Sequence, residues 1–71
     1  MRKRIENMLS EILKEIIEHY RYLLWKKIDS FIVGYELNGL KTKLDDWYLA
    51  LARYQEGELE EAERILKSIE F

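Results

Sequence analysis

The 71-residue chain contains no cysteine, no proline, three glycines and a single histidine. Without cysteine a disulfide framework and a thiolate metal site are both excluded, and one histidine leaves too few nitrogen ligands for an ordinary zinc site. No Gly-rich phosphate loop, nucleophile elbow or low-complexity segment is present, and no strand-like alternation appears. Asn and Gln together number three, while Glu, Lys and Ile abound, a thermophile-like composition. Excess charge is lacking too: 12 Lys+Arg stand against 14 Asp+Glu, a formal charge of -2. The chain as a whole therefore has no general attraction for phosphate backbones. After Met1-Arg2-Lys3-Arg4 no apolar stretch of signal-peptide length follows, so the sequence reads as a cytoplasmic protein. Its length specifies one helical domain, residues 1–71, whose core supplies roughly 3–5 kcal/mol, which makes self-association an expectation.

What is present is helical periodicity. Ile5, Met8, Leu9, Ile12, Leu13, Ile16, Ile17, Tyr20, Leu23 and Leu24 recur by threes and fours and predict a long amphipathic N-terminal helix. This stripe covers about half the circumference, wider than a two-stranded coiled-coil seam, so it predicts more than one neighbour. Ile28, Phe31, Ile32 and Tyr35 lie about 100° from it if the helix continues. Region 28–39 is accordingly expected to bend or to form a short extra helix, started by Asp29 or Ser30 and ended at Asn38-Gly39. A further helix is expected from Lys41 or Thr42, with Leu44, Trp47, Tyr48, Leu51 and Tyr54 as its apolar face, ending at Gly57. The last helix carries Leu59, Ala62, Ile65, Leu66 and Ile69, with acids in its first half and Lys67 near its end, which suits the helix dipole.

The connection at Gly57 is so short that the last two helices must form an antiparallel hairpin. From residue 46 to 69 this hairpin resembles one tetratricopeptide repeat. Leu49-Ala50 stands at the family's Leu-Gly, Gly57 at the interhelix turn, Ala62 at the small position of the second helix and Leu66 at the large apolar position after it. Trp47 and Tyr54 are each displaced by one residue from the family's aromatic positions, and the closing proline is missing. The resemblance implies close packing at Ala50 and Ala62, a buried Leu49 and an inclination toward protein partners. It does not imply a peptide-binding concavity, which takes about three units. The fold expected is all-α: a three-helix bundle, or four-helix if 28–39 is a separate helix, with a long N-terminal helix and a C-terminal antiparallel helical hairpin. A first helix unbroken through Val33 would span about 45 Å and outreach either hairpin arm.

Chemistry is sparse. Glu15, Glu18 and His19 are the nearest approach to a metal or acid–base cluster, and they read better as a boundary histidine with surface carboxylates. Asp45 and Asp46 point about 100° apart on a helix and read as helix-start acids. No nucleophile, base and stabiliser coincide, so no catalytic residue, cofactor or metal is expected and the chain is read as a non-enzyme. Tyr22 and Trp25 fall off the main stripe, and large aromatics off a core face are enriched at interfaces. Tyr22, Trp25, Ile28, Phe31 and Ile32 are therefore the candidate protein interface of a homodimeric module that docks on or regulates a larger protein. The alternative is a nucleic-acid-associated regulator using Arg2, Lys3, Arg4, Arg21, Lys26 and Lys27. It rests on a basic front, since residues 1–33 carry seven basic and five acidic side chains (+2) and residues 34–71 five and nine (-4). Four glutamates within 58–63 rule out the last helix as a recognition helix. Glutamates at 6, 11, 15 and 18 interrupt the basic face a membrane-surface helix needs, so no membrane partner is expected.

Overall fold

The computed structural model describes residues 2–26 and 30–71. Three α-helices account for nearly all of them: α1 (Arg2–Trp25), α2 (Ser30–Gln55) and α3 (Leu59–Ser68), with no strand among the described residues. The fold is all-α. None of these helices is long and apolar enough to cross a membrane.

α1 follows the periodicity of its apolar residues, and Ile5, Leu9, Ile16 and Leu23 form its buried line. It ends at Trp25, so it does not run through Val33, and its length is about 36 Å. The larger correction concerns α2. No helix ends at Asn38-Gly39 and none begins at Lys41 or Thr42, because Ser30–Gln55 is one uninterrupted helix of 26 residues. The Thr42 hydroxyl, expected to cap a helix start, donates instead to the Asn38 carbonyl one turn back, 3.2 Å away. The reason is burial. Val33, Leu37, Leu40, Leu44 and Trp47 stay in phase across Gly39 and pack on α1, and that apolar burial outweighs about 1 kcal/mol of helix propensity lost at each of Gly34 and Gly39. α2 is thus about 39 Å long and runs the full length of α1 rather than falling short of it.

The turn at Gly57 is as expected, and its geometry is specific. Gly57 has φ +84°, its N–H donates to the Tyr54 carbonyl at 3.0 Å, and the Glu58 N–H donates to the Arg53 carbonyl at 2.9 Å. These two bonds make a Schellman cap, which satisfies the last carbonyls of α2 and reverses the chain. α3 then opens with Glu60 and Glu61 in its first turn and closes with Lys67 in its last, both favourable to its dipole.

The core has two unequal ends. At one, Ile5 and Leu9 of α1, Ala50 of α2 and Ala62, Ile65 and Leu66 of α3 form a cluster shared by three helices. Ala50 and Ala62 are fully buried, so the α2–α3 hairpin packs closely at its two small residues. The Trp47 indole N–H donates to the Leu9 carbonyl at 2.7 Å and pins α1 to α2 there. At the other end Ile16, Leu23 and Leu40 form a second cluster to which only α1 and α2 contribute. The ten residues of α3 do not reach it. The result is a rod with principal extents of 43 × 16 × 16 Å.

Candidate interaction surface

α1 and α2 lie antiparallel, so a pair of helices has two long flanks, and α3 occupies one of them. On α1, Arg4 reaches that flank and pairs with Glu63 of α3. Leu13 lies nine residues further on, about 180° around the helix. On α2, Ala50 packs against α3, and Lys41 is again nine residues and about 180° away. Leu13 and Lys41 both line the opposite flank. There Leu13, Ile16, Ile17 and Tyr20 of α1 and Leu37, Leu40, Lys41 and Leu44 of α2 enclose an open groove of about 320 Å³. Ile17 and Tyr20 on its α1 wall are 45% and 47% exposed, and beyond the groove Leu24 on α1, 42% exposed, and Tyr48 on α2 continue the same two helix lines.

These α1 residues belong to the stripe that the sequence assigns to a buried face. The stripe is real, but its Ile5–Leu9–Ile16–Leu23 line is the buried part, with Met8 and Ile12 packed beside it, and Ile17, Tyr20 and Leu24 are left open. The excess width of the stripe was the available signal. Which edge stays open depends on the seat of α3, and that is set by Ala50 and Ala62.

Of the residues singled out for an interface, Tyr22, Trp25, Phe31 and Ile32 lie near the last turn of α1 and the first of α2, but they do not share one face. Trp25 is 87% and Phe31 82% exposed. Phe31 lies nine residues from buried Leu40 and therefore faces away from α1, where it lines a shallow depression with Gly34, Tyr35 and Asn38. Tyr22 is partly engaged: its ring meets His19 edge-on at 6.1 Å and carries the Lys26 ammonium 4.9 Å above its centroid. Ile32 is half exposed, and Ile28 lies outside the described residues. Leu49, which the repeat resemblance would bury, is 45% exposed.

The basic residues are dispersed. Arg4 is committed to Glu63, and Lys26 sits over Tyr22, whose hydrogen bond and charge together raise the lysine pKa. Arg2, Lys3 and Arg21 are exposed, and Lys27 lies outside the described residues. Lys14 and Arg21, two turns apart, flank the α1 side of the groove together with Ser10, Leu13, Ile17 and Glu18. Around the Gly57 turn charges pair off. Arg53 contacts Glu56 at 2.9 Å and Glu58 at 3.5 Å, and the hydrogen bond to Glu56 raises its pKa. Glu61 and Arg64 form a two-point pair that lowers the carboxyl pKa and raises that of the guanidinium. The Tyr54 hydroxyl donates to Glu6 of α1, and that bond, then burial, raises the phenol pKa.

Glu15, Glu18 and His19 build no centre, since among the described residues no group of three His, Asp or Glu side chains is placed to hold a metal ion. Comparison with protein-family models, with curated proteins and with solved structures finds no match to this chain.

Proposed function

We propose that the chain is a small non-catalytic protein–protein interaction module of the cytoplasm, a helical bundle completed by self-association, that docks on or regulates a larger protein. One observation carries this reading. The chain exposes 5513 Å² of surface, whereas a folded monomer of its 8.7 kDa mass ordinarily exposes about 4,700 Å². The excess, about 800 Å², is what one partner contributes to a standard protein–protein interface. Shape accounts for the excess, and side-chain chemistry gives it meaning. The long open flank is apolar, and the end of the rod carries Trp25, Phe31 and Tyr35 nearly bare. Contiguous exposed apolar surface on a small chain marks an interaction site.

The hairpin of residues 46–69 supports the same class of function through its likeness to a tetratricopeptide repeat. The turn at Gly57 and the buried contact between Ala50 and Ala62 favour that likeness, while exposed Leu49 does not. Molar mass measured by light scattering across a dilution series, at low and high salt, tests the proposal. Mass above that of one chain, insensitive to salt, is the expected result. A monomer under all conditions ends the homodimer reading, and nucleic-acid binding that falls steeply with salt would favour the basic-helix alternative instead.

A further inference from the structure

The open flank has an ordered pattern. On α1 its side chains are Leu13, Ile17, Tyr20 and Leu24, separated by four, three and four residues. On α2 they are Leu37, Lys41, Leu44 and Tyr48, with the same four, three and four. A four–three alternation repeats every 3.5 residues on average, the spacing that keeps a seam facing a partner helix along its length. On α1 the open line is distinct from the buried one, whereas on α2 Leu37 and Leu44 serve both, packing beside α1 while they line the groove, and Lys41 and Tyr48 are exposed.

We propose that this flank is occupied by a second copy of the chain, related by a two-fold axis, so that two α1–α2 pairs close into a four-helix core with α3 of each copy on the outside. This rests on the self-association reading above and names its surface. Three observations select a second copy over a foreign helix. The first is area: one long side of a 43 × 16 Å rod amounts to roughly 700 Å², close to the per-partner area of a stable dimer, so only a lengthwise face-to-face contact suffices. The second is that both walls of the groove carry the seam, which presents two helices to the occupant and leaves room for two in return. The third is charge. Lys41 interrupts an otherwise apolar seam, and exposed Asp45 follows one turn later. A Lys and an Asp one turn apart are self-complementary about a two-fold axis across the helix, with Lys41 of each copy opposing Asp45 of the other. A single polar residue in such a seam sets its register. The aromatic end, with Trp25, Phe31 and Tyr35, stays outside the contact and is left for a foreign partner.

Light scattering on the full chain and its variants tests this, with circular dichroism verifying that each variant remains helical. The wild type is expected at twice 8.7 kDa. I17E/Y20E alters side chains already near half exposed in the single chain, and it is expected to raise the dimer dissociation constant on the order of 100-fold. K41D alone places like charges opposite each other and is expected to weaken the dimer about tenfold, with D45K in the same chain restoring it. W25S/F31S is expected to leave the mass unchanged. A dimer untouched by I17E/Y20E and split by W25S/F31S would overturn this assignment while leaving self-association intact. Loss of helicity in I17E/Y20E shifts the decision to the charge swap, where failure of D45K to rescue K41D overturns the two-fold pairing. A wild-type monomer at every concentration overturns both self-association and the surface assigned to it.

Discussion

Single residues at two places decide how the helices meet. The Trp47 indole donates to a backbone carbonyl of α1, 38 positions away in sequence, a partly buried polar bridge between the long helices beside the exposed one from Tyr54 to Glu6. Trp47→Phe keeps most of the apolar contact and loses the bond, so a fall of about 1 kcal/mol in unfolding free energy is expected from urea titration. Glycine acts with opposite sign at two sites. A Cβ at Gly39 would meet nothing within 4 Å, and the backbone there is helical, so Gly39→Ala should raise stability by about 0.5–1 kcal/mol. At Gly57 the space is equally open but φ is +84°, so Gly57→Ala should cost about 1 kcal/mol in the same titration. Titration of side chains adds a pH signature. Arg64 holds the Glu61 carboxyl below its ordinary 4.5, so that pair's contribution is present above this value and is lost as pH falls through the lowered one. Glu6 holds the Tyr54 phenol above its ordinary 10.0, so its contribution is complete below this value and is lost as pH rises through the raised one. Urea midpoints should fall at both ends of the pH range, and Tyr54→Phe should flatten the alkaline end.

At the scale of elements, legibility varied with how far local and non-local signals agreed. α1 is plain from its apolar spacing alone, since its first turn holds no acid and its last no base; in α3 spacing and end charges coincide, and Gly57 stops α2 where a left-handed residue is needed. α2 was hidden. Asn38-Gly39 and Thr42 spell the end of one helix and the start of another, and a neighbour-by-neighbour reading accepts that. What overrides it is the line of Val33, Leu37, Leu40 and Leu44 against Ile16 and Leu23, a contact that exists only once α1 is docked. The candidate surface shows the same division. The excess width of the α1 stripe is visible in the sequence, whereas the choice of open edge requires the position of α3, which depends on two alanines. Tyr22, Trp25, Phe31 and Ile32 were found as off-stripe residues, yet their dispersal over several faces follows from the antiparallel crossing and from no local pattern.

For the whole molecule the governing fact is the mismatch of lengths. Two helices of 24 and 26 residues are served by a third of 10, so one end of the rod is three helices thick and the other two. A two-helix layer buries each helix on one side only, and the second core cluster is accordingly small. Assembly is expected to matter most at that end. In hydrogen exchange, amides of residues 13–24 and 33–44 should gain protection with protein concentration, while those around Ala50 and Ala62 should not depend on it.

The Trp47–Leu9 bridge also bears on the order of folding. The α2–α3 hairpin closes through a turn of a few residues, whereas contacts of α1 with the Ala50 cluster must span from about forty to about sixty positions, and loop closure makes such contacts slower. The hairpin is therefore expected to form early, with α1 arriving afterwards along its length. Trp47 sits at the junction, and in a Trp25→Phe background its fluorescence should report that arrival alone. Stopped-flow refolding of such a chain should be slowed by Ala62→Gly, whereas Leu23→Ala should chiefly hasten unfolding.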